Sequence, residues 1–237
     1  MTRGWRGPLP EPQIRTVADM RNVLADPGCP EKGPLYFMYR NLAMTEKDRN
    51  WLQTRSIRFD ITVIPSRVLC GELVKTKGHY HPPDRAGTEY PELYEVIEGT
   101  GHFLLQNRSF SEIFLIEAKA GDKILISPGF GHVTINPGDE NLVMANLVSS
   151  GFSSDYRAFE VHQGAAYYEM ARQGLVMNPR YPEVSEIVWI RRGNVRPGSP
   201  LSVPLYSLVG DAERLEFLNR PEAHPDMFLD AYQESWV

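Results

Sequence analysis

The sequence has few cysteines, no long apolar runs and no basic blocks. Its 237 residues include two cysteines, Cys29 and Cys70, which are isolated from one another, so we expect neither a disulfide framework nor a zinc ribbon. The longest apolar runs are about half of the ~20 residues that a transmembrane helix needs. Residues 1–5 lack the apolar core of a signal peptide. These absences predict a cytoplasmic protein that does not enter a membrane.

The charge and composition exclude further classes of protein. The chain carries 25 Lys and Arg against 30 Asp and Glu, a net charge of -5. Since no block of five basic residues occurs, we do not expect nucleic acid as a partner. Apolar residues at 42% and charged residues at 23% are ordinary for a globular protein, which argues against pervasive disorder or a fibrous chain.

Helical spacing is confined to a few short segments. Apolar residues follow a helical period in 16–25, and Thr45 stands three residues before Asp48 as in a capping box. The second pattern predicts a short helix that continues through Leu52. A further short helix is predicted at 211–218. Residues 1–55 are therefore interpreted as a helical and extended N-terminal segment.

Short strands dominate from residue 57 onwards. Apolar and polar residues alternate over 57–63, which predicts a half-buried strand. Eight more short strands are predicted, most of them separated by turn residues, at 69–74, 94–97, 102–106, 112–116, 123–127, 132–135, 142–147 and 158–161. Many short strands between regular turns predict an all-β barrel or sandwich, which we place at 56–182.

The last residues differ in composition. Seven of the 19 prolines lie in the final 60 residues. We interpret 183–237 as a C-terminal extension packed on the barrel, the alternative being a loosely ordered tail.

A pair of histidines suggests a metal site. His79 and His81 are two residues apart, so on a strand they point the same way, and imidazole is a good ligand for borderline divalent metals. Glu92 on a neighbouring strand and His132 after a tight turn can complete the cluster. Such a site leaves coordination positions open for substrate or water.

These residues stand at the spacing of two motifs. The first motif comprises His79, His81, Glu92 and Gly99, and the second comprises Gly121, Pro128, Gly129, His132 and Asn136. Together they resemble the two cupin motifs, with a longer spacer before the glutamate and the proline one place nearer the first glycine. The resemblance implies a cupin β-barrel, or jelly roll.

A closer resemblance lies within the first motif. The run from Thr76 to His81, the Glu92-x-Tyr94 pair and the strand 103–106 resemble the cupin-type glucose-6-phosphate isomerases of archaea, over roughly residues 55–182. The resemblance implies a homodimer that interconverts glucose 6-phosphate and fructose 6-phosphate. It also implies one divalent metal ion per subunit, commonly Fe²⁺, with Ni²⁺, Mn²⁺ and Zn²⁺ as alternatives.

The resemblance assigns roles to individual residues. The positions that match metal ligands are His79, His81, Glu92 and His132. The positions that match contacts to the sugar phosphate are Thr76, Gly78 and Tyr156. Tyr94 matches a tyrosine beside the substrate, and Glu92 is the base we would name for proton transfer, with Glu89 as the rival carboxylate.

Two positions depart from the family pattern. Ser154 stands where the short-chain family has a histidine, and Val148 stands where it has a tyrosine. These losses weaken the expected phosphate affinity but leave the metal ligands unchanged. The sequence shows no obvious arginine clamp, and Lys77 is either a solvated charge or an attractor of phosphate.

Two other functions suit the same motifs. Iron held by three histidines and a glutamate also suits oxygen chemistry, so a cupin dioxygenase, or a sugar epimerase, is one alternative. A non-catalytic sugar-binding cupin is the other. As a transcription regulator it would need a DNA-binding segment, and residues 1–55 contain no convincing helix-turn-helix.

Overall fold

The computed structural model describes residues 5–229, 231 and 232. The absence of signal-peptide character was predicted from residues 1–5, and residues 1–4 lie outside the described residues. The strands are β1 (Gln13–Thr16), β2 (Pro34–Tyr39), β3 (Ile57–Ile64), β4 (Val68–Leu69), β5 (Glu72–Leu73), β6 (Glu92–Glu98), β7 (Thr100–Asn107), β8 (Ile113–Lys119), β9 (Lys123–Ile126), β10 (Phe130–Ile135), β11 (Leu142–Ser149), β12 (Tyr167–Met170), β13 (Gly174–Met177) and β14 (Ile187–Arg191). The α-helices are α1 (Val17–Met20), α2 (Glu46–Thr54), α3 (Arg157–Val161) and α4 (Ala212–Leu215).

The strands form two principal sheets and one small sheet. The first has six strands in the order β1-β2-β3-β11-β6-β9, and the second has four in the order β10-β7-β8-β14. Their inner faces meet where Tyr94 of the first sheet packs on Phe103 of the second, with ring centroids 5.4 Å apart. The small sheet has the order β13-β12-β5-β4. The predicted all-β barrel of the cupin, or jelly-roll, kind is confirmed.

The N-terminal segment belongs partly to the barrel. Both helices predicted there are present, and the Thr45 hydroxyl accepts a hydrogen bond from the Asp48 amide at the start of α2. In addition, β1 and β2 extend the first sheet beyond β3. Residues before 56 therefore contribute to the wall of the barrel.

Two predicted strands are wrong. Residues 158–161 form part of helix α3, in which Phe159 is fully buried, because a segment of four mostly apolar residues does not distinguish a strand from one helical turn. Residues 69–74 form the β4–β5 hairpin instead of one strand. Cys70 and Gly71 have positive φ at its turn.

Strand β3 has its polar face inside the barrel. Ile57, Phe59 and Ile61 pack in a hydrophobic cluster with the C-terminal extension, so the apolar face looks outward. Arg58 and Thr62 line an internal pocket. The alternation was predicted correctly, but the expectation of a half-buried strand is wrong because both faces are covered.

The C-terminal extension first adds β14 to the edge of the second sheet, and its later residues pack on the outer face of the first sheet. The predicted helix at 211–218 is present as α4, capped by Asp211, followed by a 3₁₀ turn at Glu216–Leu218. The extension contributes five fully buried side chains to the cluster that contains Phe59, namely Leu205, Leu208, Leu215, Phe217 and Leu218.

Removing one of these side chains should destabilise the fold. Phe217→Ala is expected to lower the free energy of unfolding by about 3–5 kcal/mol, since Phe217 is fully buried and its loss leaves a cavity. Val161→Ala, at a side chain 68% exposed, should change it by less than about 0.5 kcal/mol. Urea denaturation measures both, and equal effects would contradict the packing described.

The expectation that the two cysteines are isolated is wrong. Cys29 and Cys70 form a disulfide across a sequence separation of 41. The N-terminal segment lies against the β4–β5 hairpin there, and the Arg67–Glu31 ion pair at 2.7 Å joins the same two regions. Sequence separation concealed the pairing because only tertiary structure brings the two segments together.

Candidate metal centre

Backbone pairing positions three of the predicted metal ligands, namely His79, His132 and Glu92. His79 and His132 face each other across an antiparallel bridge, with reciprocal N–H···O bonds of 3.3 and 3.0 Å. His81 follows two residues later, and Glu92 is the first residue of β6. One ligand atom from each of these four residues lies within 4.8 Å of the others, so the structure brings the predicted set together.

Hydrogen bonds orient two of the imidazoles. His79 Nδ1 lies 3.2 Å from the Lys77 carbonyl oxygen, and His81 Nδ1 lies 2.7 Å from that of Tyr90. A carbonyl oxygen only accepts, so each Nδ1 carries the proton. The Nε2 atoms therefore keep their lone pairs available for a metal ion.

Burial keeps two of the histidines, His79 and His132, neutral. It lowers the pKa of His79 well below its usual value, and the neighbouring His132 and His81 lower it further. Burial also lowers the pKa of His132, against the attraction of Glu92. Neutral imidazole is the form that binds a metal ion, so these two side chains are ready to act as ligands at neutral pH.

Glu92 supplies the negative charge of the cluster. Its Oε2 lies 3.4 Å from Nε2 of both His81 and His132, and its Oε1 accepts a 2.7 Å hydrogen bond from Asn146. Burial alone would raise the pKa of Glu92, but its close contacts with His132 and His81 outweigh burial and hold the pKa well below its usual value. The carboxylate is therefore ionised.

This donor set fits a divalent transition metal. Three imidazole nitrogens and one carboxylate oxygen are the donors that iron, nickel, manganese and zinc accept. A buried carboxylate without a cation would be costly, and a divalent ion neutralises it.

Tyr94 stands beside the cluster. Its hydroxyl lies 3.2 Å from His132 Nε2. Burial and the charge of Glu92 raise the pKa of Tyr94 well above its usual value. The phenol is therefore neutral at physiological pH and can donate a hydrogen bond.

The cluster opens into a pocket that contains two of the three predicted substrate contacts. Its walls are Arg15, Tyr36, Met38, Arg40, Arg58, Thr62, Thr76, Lys77, His79, Glu92, Tyr94, Met144, Asn146, Ser154 and Tyr156. Backbone pairing of Asp155 with Tyr80 places Tyr156 there. The Thr76 hydroxyl accepts from the Thr134 amide at 2.9 Å, which leaves its own proton free to donate.

Gly78 does not line this pocket. A side chain at Gly78 would collide with Phe159 and Val133, so the glycine is required by close packing. A contact between its N–H and a phosphate stays a prediction.

Several pocket residues were missed by sequence reasoning. Arg15 lies on β1, Arg40 directly follows β2, Arg58 lies on β3 and Asn146 lies on β11. Arg58 was assigned to a solvated strand face. The sequence could have identified Asn146 as a site residue, since it is a polar residue inside an otherwise apolar strand.

The rival carboxylate lies elsewhere. Glu89 forms a 2.7 Å ion pair with Arg108, whose guanidinium stacks over the Tyr80 ring at 4.3 Å. Glu89 is thus a paired structural charge and not the solvated loop charge that the sequence suggested.

The two departures from the family pattern both lie at the site. Ser154 lines the pocket. Val148 pairs in register with Arg58 on one side and Glu92 on the other.

Solved structures with a similar fold are distant. The oxalate decarboxylase of Lactobacillus farciminis, solved as a formate complex, is 20% identical with a TM-score of 0.39 and covers 51% of this chain and 30% of that one. An oxalate oxidase in complex with glycolate is 15% identical with a TM-score of 0.37 and covers 46% and 50%. Likenesses this weak carry no argument about function.

Curated relatives are closer. Glucose-6-phosphate isomerase of Thermococcus kodakarensis is 30% identical over 178 residues, which are 72% of this chain and 87% of that protein. The Thermococcus litoralis protein of the same name is 28% identical over 149 residues, or 60% and 72%. The family description "Glucose-6-phosphate isomerase (GPI)" matches residues 14–185, from β1 through the barrel. The chain therefore belongs to the glucose-6-phosphate isomerase family.

Proposed function

We propose that this protein is a metal-dependent isomerase that interconverts glucose 6-phosphate and fructose 6-phosphate. The observation that carries the proposal is the three-histidine, one-glutamate cluster at one end of a pocket lined with arginines and hydroxyl groups, in a chain of this family. The test is a coupled assay of the metal-loaded protein with fructose 6-phosphate. Oxygen uptake would instead indicate a dioxygenase, and binding without turnover a non-catalytic cupin.

His79, His81, Glu92 and His132 would hold one divalent ion, which we propose is Fe²⁺. When bound, such an ion polarises the substrate carbonyl and stabilises negative charge on its oxygen. Metal analysis of the purified protein distinguishes Fe²⁺ from Ni²⁺, Mn²⁺ and Zn²⁺.

Two routes move hydrogen between C1 and C2 of the sugar. In the enediol route a carboxylate takes the C2 proton and returns it at C1, and Glu92 is the candidate, although its low pKa makes it a weak base. In the hydride route hydrogen passes directly between the carbons and no base at carbon is needed. Deuterium from solvent would enter the product only in the enediol route.

Tyr94 would hold the reacting end of the substrate. A neutral buried phenol beside the cluster can donate a hydrogen bond to a sugar oxygen as negative charge develops there. Its raised pKa keeps this proton in place across the physiological range.

A 6-phosphosugar should be strongly preferred over free sugar. Thr76 and Tyr156 offer hydroxyl donors in the pocket, and each charge-assisted hydrogen bond to a phosphate contributes about 1.5–3 kcal/mol. We expect kcat/KM for fructose 6-phosphate to exceed that for fructose by at least ~100-fold. Equal values for the two substrates would refute the phosphate assignment.

We also propose a cytoplasmic homodimer, as the family resemblance implies. In the described part of the chain, no helix is long and apolar enough to cross a membrane. The Cys29–Cys70 disulfide is an argument against this location, since disulfides are rare in the cytosol of most organisms. Light scattering of the active protein tests the oligomer, and cell fractionation tests the location.

A further inference from the structure

One end of the pocket contains a cationic side chain, that of Arg15, which is not part of the metal cluster. We propose that Arg15 binds the phosphate of the sugar phosphate and so determines the preference for phosphorylated substrates. The inference rests on the proposed function and deepens it. It assigns substrate recognition to a strand that precedes the predicted barrel.

Strand pairing places Arg15 in the pocket. On β1, Arg15 pairs with Tyr36 of β2, and both line the same pocket as His79. The Arg15 guanidinium carbon lies 5.9 Å from the centre of the Tyr156 ring, and Lys77 Nζ lies 5.6 Å from the same ring. Two cations and a tyrosine thus converge on one corner.

Of the two cations in this corner, Lys77 forms an ion pair, whereas Arg15 is attracted by Asp19 only at longer range. Lys77 pairs with Glu160 at 2.6 Å. Among the residues that the structure describes, Arg15 forms no ion pair, and its Nε is buried without a hydrogen-bond partner. A buried donor without a partner is costly, and a bound anion would satisfy it.

The other two arginines of the pocket are already engaged. Arg40 and Arg58 both donate to Asp60, at 2.7 and 2.8 Å, and Asp60 is fully buried. The shared carboxylate holds both guanidiniums in place, that of Arg40 just after β2 and that of Arg58 on β3. Arg15 contacts the Tyr36 hydroxyl, and its unpartnered Nε leaves it able to form the planar, two-bond contact that guanidinium makes with phosphate.

Tyr156 connects this corner with the metal cluster. Its ring lies 5.4 Å from the His79 ring and 5.9 Å from the Arg15 guanidinium carbon, and all three residues line one pocket. A hexose 6-phosphate bound in this pocket with its carbonyl end at the cluster would therefore have its phosphate close to Arg15 and the Thr76 hydroxyl.

The binding test does not depend on turnover. Titration calorimetry of the metal-free protein with inorganic phosphate should show at least ~10-fold weaker binding for Arg15→Gln than for the parent, the loss expected for a charged hydrogen bond. Arg15→Lys should recover part of it. The control is Arg172→Gln, an exposed turn position, which should bind as the parent does.

Kinetics of the metal-loaded protein give the second measurement. For Arg15→Gln we expect KM for fructose 6-phosphate to rise at least ~10-fold with kcat within about threefold, because a contact made equally in ground and transition states affects KM. Unchanged phosphate binding and KM in a folded Arg15→Gln protein would overturn the inference. If the parent protein does not turn over fructose 6-phosphate at all, the proposed function fails instead.

Discussion

Replacing His79 or His132 with alanine is expected to remove most of the bound metal and the activity with it. Each substitution deletes one of four ligand atoms that lie within 4.8 Å of one another. Loss of an outer-shell partner alone typically costs ~10–100-fold in affinity, so loss of a ligand should cost more. Metal analysis after dialysis, combined with the coupled isomerase assay, measures both effects.

The control for the histidine variants is His224→Ala. His224 lies on the C-terminal extension, 3.4 Å from Glu216, and should retain full metal content and activity. Full metal occupancy and full activity in both ligand variants would disprove the metal site. Loss of folding is monitored by circular dichroism, so that an unfolded variant is not counted as support.

Glu92→Gln should reduce turnover by at least ~100-fold, the lower end of what loss of a general base costs. The substitution keeps the shape of the side chain and its contact with Asn146 but removes the negative charge that faces the metal and any base for proton transfer. Some metal should remain on the three histidines, so activity falls further than metal content. Both are measured at saturating metal.

Glu89→Gln is the matched control, three residues away. It should stay within about threefold of the parent in turnover, because Glu89 pairs with Arg108 and does not reach the cluster. Some loss of stability is expected, since the ion pair is partly shielded from solvent. An inactive Glu89→Gln with an active Glu92→Gln would mean that the first motif has been aligned incorrectly.

Local sequence was sufficient to predict the metal cluster. The i, i+2 spacing of His79 and His81 places them on one face of an extended strand whatever the surrounding fold. Glu92 opens a strand and His132 follows a tight turn at Gly129, which has a positive φ. Strand periodicity and turn chemistry are short-range properties, so the spacing of the motifs carried the assignment of these residues.

Which face of a strand lies inside the barrel was decided by the tertiary structure. The alternation in β3 is visible in the sequence, but which face is solvated depends on what covers the sheet. The C-terminal extension covers Ile57 and Phe59, which leaves Arg58 to line the pocket. A period of two identifies two faces and does not say which of them is inside.

Long-range pairing likewise decided the remaining features of the site. Arg15 reaches the pocket because β1 and β2 extend the sheet next to β3, and Cys29 meets Cys70 because the N-terminal segment lies on the hairpin. Each depends on contacts between segments far apart in the chain. The sequence, through its motif spacing, was sufficient to predict which four side chains lie together and the class of fold. The cationic end of the pocket, the inward polar face and the disulfide arose only when distant segments packed together.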